Sequence, residues 1–519
     1  MNGAATNAPI RDLVIVGGGT AGWMMAAAAA RMLNDGQRRI TLIESDMIGT
    51  IGVGEATIPP ILGFNQILGI DEAEFLRETK ATYKLGIEFR DWGRVGDRYV
   101  HPFGAQGRDF DGIDFHQIWL KFRDSPGVGG IEHYWMSAIA AHAARFAHPA
   151  SDPRHPHSQL SYAYHFDAGL YAAYLRKRAE AGGVLRIEGR IADVVRDTRT
   201  GDVRHVTLDG GREIAGQLFV DCSGFRSLLL GEAMGVDFVD WSHWLPSDRA
   251  IAVPTERTDP LVPLTRSTAR PAGWQWRIPL QHRTGNGHVY SSAFMGDDAA
   301  EAMLLANLDA PATDTPRRLS FRTGRRARMW EGNVVALGLA GGFLEPLEST
   351  SIHLIQSGIQ KLLALFPDSE FAAVERAEYN RLMTAQFDAV RDFVILHYKA
   401  TERAGDPFWD HVRTMEIPDS LATKIALFRE RGRLFRYDDD LFSVPSWVAV
   451  LIGQHVTPSG YSPLVDSLDD ARVLPAILGL RRAYAAAAQA MPEHGDFVAR
   501  LVAATAPPAR SAGNRLAAG

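Results

Sequence analysis

The first apolar run, DLVIV at 12–16, gives way to glycines, then to the helix-forming stretch TAGWMMAAAAARML and a second β-like run, RITLIES. The pattern predicts a strand, a turn, a helix and a strand as the opening of an α/β fold. Positions 98–157, from RYVHPFG to PRHPHSQ, are crowded with Gly, His, Pro and aromatic residues and read as loops inserted around a site. The α/β pattern resumes with the helix AGLYAAYLRKRAEAGG, the strand pair VLRIEGRIADVVRD and VRHVTLDGG, and the buried strand GQLFVDCSG. Alternating segments such as GWQWRIPL and HVYSSAF predict an antiparallel sheet. After residue 360 the apolar spacing is mainly helical, with a loop at PSWVAVLIGQHVTPSGYSP. No repeat of solenoid period is present, and the small polar residues at both ends predict mobile termini.

Composition narrows the class of protein. The chain of 519 residues is long enough for two or three domains, or for one large fold with elaborations. With 46% hydrophobic and 22% charged residues it has the composition of a globular protein with a sizeable core. A net charge of -6 gives no support for a nucleic-acid surface. The single cysteine, Cys222, excludes an internal disulfide or a cysteine-rich metal site and fits a reducing compartment. No run approaches 18 consecutive apolar residues, and MNGAATNAPIRD has no apolar signal core. The expectation is a soluble cytoplasmic protein with no membrane partner and no metal.

Gly17, Gly19 and Gly22 form G-x-G-x-x-G directly after the first strand, with Thr20 and Ala21 between them, and Glu44 ends the next strand. Glycines there let the backbone approach a pyrophosphate at the helix N-terminus, and the acid binds a ribose hydroxyl. The bland alternative is a glycine turn with no ligand. The same fingerprint serves NAD and FAD. The later strand-and-turn segments FVDCSG and NVVALGLAGG, the second carrying Gly338 and Leu339, favour FAD, and Glu44 without an adjacent Arg argues against NADP.

A second stretch, GGFLEPLESTSIHLIQSGI at 341–359, crowds Glu345, Pro346, Glu348, Ser349, Thr350 and Ser351 before an apolar helix, with His353 one turn on. On the residues alone this is a helix start. Pro346 suits the first turn, Glu348 lies where negative charge is favoured, and the hydroxyls serve amides left free by the helix.

Taken together, the motifs GGGTAGWM (17–24), IGVGEATIP (51–59), YKLGIEF (83–89), HPFG (101–104), VDCSGFRSLL (220–229), GWQWRIP (273–279) and GFLEPLESTSI (342–352) make the chain resemble the flavin-dependent halogenases of the tryptophan halogenase type. The resemblance implies a Rossmann-like FAD-binding domain of the flavin monooxygenase/halogenase type, with an antiparallel substrate sheet and a mainly helical C-terminal part. FAD-binding segments are expected at 10–97, 158–235 and 321–365, the last with the PLEST loop. The loop-rich insertion lies at 98–157, the substrate sheet at 236–320, a helical substrate-covering region at 366–505 and a tail at 506–519.

The resemblance also implies roles. Gly17, Gly19, Thr20, Ala21, Gly22, Glu44, Glu55, Ala56, Gly338, Leu339 and Ile352 hold FAD, which arrives as FADH2 from a separate flavin reductase and reacts with O2 and halide, bromide or chloride. Hypohalous acid then reaches Lys84, an electron-rich aromatic carbon attacks the halogen, and Glu348, with Ser349 beside it, helps remove the ring proton. Thr350 and Ser351 match the halide-binding amides, although many relatives have Gly where Ser351 stands. Trp274 and Trp276 match the W-x-W-x-I-P residues that keep organic substrate from the flavin. His101 and Phe103 match a pair that packs around indole, and Trp447 offers a further aromatic wall. Glu345 and His353 have no mapped role and read as structural. On the residues alone, Lys84 is a surface lysine and the tryptophans are a core stripe. The implied substrate is a small aromatic: indole, tryptophan or an indole derivative. The rivals are a flavin-dependent aromatic hydroxylase, against which Leu339 stands where such enzymes carry Gly-Asp, and a redox-silent FAD-binding scaffold.

Overall fold

A computed structural model describes residues 8–46, 54–437 and 440–504; the tail at 506–519 and positions 51–53 of the IGVGEATIP motif lie outside them. The buried strand Asp12–Val16 sits inside a six-stranded sheet, flanked by Leu218–Asp221 and Arg39–Glu44. Beyond these lie Val334–Ala336 and Leu185–Glu188, and every neighbour pair so far is parallel. Trp330–Glu331 adds an antiparallel edge. Central strands covered on both faces explain why LVIV and LFV read as unbroken apolar runs rather than alternations. The helix Thr20–Met32 packs against Ala168–Ala181, with Ala26, Ala28 and Ala29 fully buried, so small side chains let the two helices approach closely.

The second large sheet departs from the sequence expectation. Its seven strands run Arg317–Ser320, Arg249–Thr255, Thr284–Tyr290, Gly273–Pro279, Leu264–Arg270, Gly86–Arg90 and Arg98–Pro102. Its five strands from 236–320 pair antiparallel as expected, and the sheet as a whole is mixed because Leu264–Arg270 pairs in parallel with Gly86–Arg90. Two of its strands come from outside 236–320. The positions 98–157 are also more regular than their composition suggests. Beside the strand Arg98–Pro102 they form the helices Phe115–Phe122 and Met136–His142. Phe115, Ile118, Trp119 and Phe122 are buried at helical spacing, a stripe that the surrounding Gly and His residues obscured.

The C-terminal part is helical, led by the 27-residue helix Ala373–Lys399. The expected loop from Pro445 instead begins as the helix Val444–Gly453. Pro445 sits in its first turn, where proline is tolerated, and Val448, Val450 and Leu451 are fully buried. Among the described residues no helix is long and apolar enough to cross a membrane, and no group of three or more His, Cys, Asp or Glu is placed to hold a metal ion.

Candidate active site

The glycine turn is built by exclusion. Gly17 has φ +110, and a Cβ there would meet the Cys222 carbonyl oxygen at 2.3 Å. A Cβ on Gly22 would meet the Gly17 carbonyl oxygen at 1.8 Å. Gly19 differs, since nothing lies within 4 Å of its Cβ position. The helix Thr20–Met32 has no side-chain cap, so its first amides are free to meet an anion. Gly338, at φ +63, would bring a Cβ to 2.9 Å from the Ala21 Cβ, so the late turn lies against the start of this helix, and Leu339 beside it is exposed. Burial raises the Glu55 carboxyl to about 7; Ala56 and Ile352 are buried. This cradle fits a dinucleotide.

Glu44 is less free than its sequence neighbours suggest. Arg186 and Arg176 both reach its Oε1, and the Trp23 indole donates to Oε2 at 3.3 Å. The argument against NADP from the lack of an adjacent Arg therefore does not hold in space.

Lys84 ends the strand Thr82–Lys84 and is fully buried. Its Nζ donates to the Thr57 carbonyl at 3.0 Å and to Ser349 Oγ at 2.8 Å, and stands 5.2 Å from the centre of the Phe103 ring. Burial pulls its pKa down to about 7 against the opposing pull of Glu348.

The PLEST segment is not the start of the apolar helix. Pro346–Glu348 is a separate 3₁₀ turn, Ser349 follows at φ +60, and the helix begins at Ser351. The left-handed residue breaks the run, so Glu348 stands outside the helix. Thr350 makes no side-chain cap, and the Ser349 hydroxyl serves Lys84 instead.

Glu348 is buried between two histidines. His101 Nδ1 lies 2.8 Å from Oε2 and His397 Nε2 lies 2.7 Å from Oε1, the latter close but not aligned as a hydrogen bond. Burial pushes this carboxyl up, yet His101 and His397 outweigh it and hold it down at about 2. Burial lowers the pKa of His397 in turn, and the Tyr99 hydroxyl lies 3.1 Å from its Nδ1. The sequence reading missed His397, which arrives from the long helix in FVILHYK, and Thr57, which acts through its backbone. The histidine interrupting an apolar helical run was the available signal.

Around this centre stand aromatic rings. Phe393 stacks on Phe442 at 3.7 Å and meets Trp447 edge-on at 5.0 Å. His101 lies 5.5 Å from Phe393, so it lines this wall as well as holding Glu348. Lys424 stands 4.5 Å over the Trp447 ring and pairs with Asp440 at 2.6 Å. Trp274 and Trp276 lie on the strand Gly273–Pro279 with ring centres 6.1 Å apart. Gly287 faces Trp276, and a Cβ there would fall 2.0 Å from its ring. Trp92 links Trp274, at 6.5 Å, to His397, at 5.9 Å. His353 is buried near Gln386, and burial lowers its pKa to about 4.

A family model described as tryptophan halogenase matches residues 12–470. The chain belongs to the tryptophan halogenase family. This halogenase is 35% identical over 517 residues to the 7-chloro-L-tryptophan 6-halogenase KtzR of Kutzneria sp. (strain 744), covering 94% of this chain and 99% of that relative. It is 37% identical over 445 residues to the tryptophan 7-halogenase RebH of Lentzea aerocolonigenes, covering 81% and 82%. Its fold superposes on Xcc4156, a flavin-dependent halogenase from Xanthomonas campestris, with a TM-score of 0.92 at 48% identity over 96% of this chain and 100% of that one. For BrvH, a flavin-dependent halogenase from Brevundimonas sp. BAL3, the TM-score is 0.91 at 46% identity over 95% and 99%. The enzyme is a flavin-dependent halogenase, which uses FADH2, O2 and halide. The hydroxylase and scaffold readings give way.

Proposed function

We propose that this halogenase modifies an electron-rich aromatic of the indole class, with Lys84 and Glu348 as its catalytic pair. The observation that carries this reading is a fully buried lysine held on Ser349 beside a carboxylate clasped by two histidines. When bound, reduced FAD with O2 supplies the oxidation of halide to hypohalous acid. Gly17, Gly19, Thr20, Ala21 and Gly22 hold the pyrophosphate, Glu44 the ribose, and Glu55, Ala56, Gly338, Leu339 and Ile352 the remainder of the cofactor. The amides of Thr350 and Ser351, uncapped at the helix start, bind halide. Trp274 and Trp276 bar the organic substrate from the flavin.

Lys84 receives the hypohalous acid. A lysine poised at about 7 donates as an ammonium or offers a lone pair as an amine. The ring carbon bonds to the halogen, the O–X bond breaks, and the hydroxyl leaves as water with a proton from the Lys84 ammonium. Glu348 takes the ring proton, and Ser349 holds Lys84 in register with it.

The indole class is supported by the wall of His101, Phe103, Phe393 and Trp447 and by the tryptophan-directed names of KtzR and RebH. That class includes free indole, tryptophan and larger indole-bearing molecules. Bromide supports turnover at least as well as chloride, since it is easier to oxidise and Ser351 alters the halide loop. We place the enzyme in the cytoplasm, beside the reductase that feeds it.

The test supplies the purified chain with FAD, a flavin reductase, indole and equal bromide and chloride, with catalase present. Halide-dependent product with bromide incorporation at least equal to chloride is expected. Rapid NADPH consumption by the chain alone, or product independent of halide, overturns the reading; dominant chlorination overturns the halide preference.

A further inference from the structure

Glu345 stands three residues before Glu348 and is fully buried, yet the chemistry above gives it nothing to do. The Tyr398 hydroxyl donates to its Oε1, while Oε2 has no partner. Two donors are equally unused: the indole Nε1 of Trp274 and the hydroxyl of Ser247, both buried. Tyr398, bonded to Glu345, and Trp274 both pack against the Trp92 ring, at 5.4 and 6.5 Å, which brings the indole to the neighbourhood of this carboxyl. Burial raises the carboxyl to about 7, with Tyr398, Trp274 and Ser247 opposing the rise. One orphan acceptor and two orphan donors that converge in a dry interior are each costly apart and satisfied together.

The placement has a consequence for the tunnel. Without a bond at Nε1, the Trp274 ring would be held by packing alone, Trp92 and Trp276 among its neighbours, and its buried N–H would stay unpaired. We infer that Glu345 is a positioning residue whose free oxygen takes the Trp274 N–H and fixes the indole that separates flavin from substrate. Tyr398 and Ser247 hold the carboxyl for that purpose. The inference rests on the separator role proposed for Trp274. The two acids of the PLEST region thereby divide their work, with Glu348 held between histidines for the ring proton and Glu345 turned towards the separator.

The test uses the full chain loaded with oxidised FAD and ¹⁵N-labelled at tryptophan. The Trp274 indole signal is identified by its loss in Trp274→Phe. In Glu345→Leu that signal moves while the other indole signals hold. Product formed per reduced flavin consumed falls roughly three- to tenfold, as misplacement near a reaction path does, with little change in the KM for the aromatic. The double variant is no worse than the larger single one, because both remove the same contact. A Trp274 signal unmoved in Glu345→Leu, or losses that add, overturns the proposal. If Glu345→Leu does not fold, Glu345→Gln decides, since losing the charge must also move that signal. If the wild type makes no halogenated product, the reading of function fails while the spectral arm still judges Glu345.

Discussion

The glycine turn and the Lys84–Glu348 centre solve opposite problems. At the turn, function is an absence of atoms: Gly17 and Gly22 have no room for a methyl group, and Gly19 faces open space. At the centre, function is an accumulation of side chains from distant segments: Lys84 with Ser349, and Glu348 between His101 and His397. In the proposed reading the turn works through backbone amides whose state does not change with pH. On the same reading the centre works through protonation states, with Lys84 drawn down to about 7 by burial and Glu348 held at about 2 by His101 and His397 against burial. The difference teaches that the core of the proposed cofactor cradle, the turn at 17–22, is written in one stretch of chain, whereas the proposed catalytic centre exists only in the assembled fold.

The largest effect that separates the two regions is expected from Lys84→Met. Halogenation falls by about 10³-fold or more, in line with loss of a group acting in the transition state, while FAD affinity is unchanged. Stability holds or improves, because an apolar side chain of similar length replaces a buried amine that is costly to charge. Product analysis with a hypohalite scavenger, FAD titration and urea unfolding check the three parts. Halogenation near the wild-type rate would break the division outright.

Glu348→Gln keeps the shape and removes the charge. Turnover falls about 10²-fold, the usual worth of a positioned proton acceptor, with FAD binding again intact. Single-turnover measurements separate the chemical step from binding. An equal loss of FAD affinity would show that the carboxylate serves the cofactor instead.

The same contrast explains what the sequence disclosed. Gly17, Gly19, Gly22 and Glu44 were legible as a motif because strand, turn, helix and acid are consecutive, and the fold leaves no room for a Cβ at Gly17 or Gly22. The tryptophans of GWQWRIP were legible as a same-face pair. Lys84 was singled out only through the resemblance, because burial of a lysine depends on what Thr57, Phe103 and Ser349 bring to it. His397 lies 49 residues beyond Glu348 on a helix whose register no local pattern ties to the PLEST turn. Pro346 misled in the other direction: it promised a helix start, and the left-handed Ser349 postponed that start to Ser351. Arg176 and Arg186 reach Glu44 from far along the chain, so no inspection of its neighbours could find them.

Stability against pH reads the centre and not the turn. The folded-state pKa of Lys84 is about 7, below its ordinary 10.5, so between those values the unfolded chain binds more protons. Wild-type stability relative to Lys84→Met therefore rises as pH goes from about 7 towards 10.5 and is flat below about 7. The slope is at most about 1.4 kcal/mol per pH unit. Urea unfolding of both proteins at pH 7.5 and 9 checks the sign. A difference that stays flat between pH 7.5 and 9 would show that Lys84 is held charged, and the desolvated centre would have to be abandoned.

The smallest effect sharpens the other side. Gly22→Ala would place a methyl group 1.8 Å from the Gly17 carbonyl oxygen, so it harms the fold and the cradle together and cannot say which matters. Gly19→Ala can. Gly19 has φ -75 and ψ -173, an extended conformation that alanine adopts freely, and nothing lies within 4 Å of the new methyl. The chain without flavin should melt close to the wild type. The methyl does enter the space where a pyrophosphate meets the amides of Thr20 and Ala21, so FAD affinity should drop about tenfold, or about 1.4 kcal/mol. Fluorescence titration of FAD beside a thermal melt measures both. Combined with Lys84→Met, the FAD loss should be unchanged, since the two substitutions touch no common partner. Wild-type FAD affinity in Gly19→Ala would move the pyrophosphate off this turn; a deeper loss in the double variant would mean that cradle and centre are coupled through the fold rather than built apart.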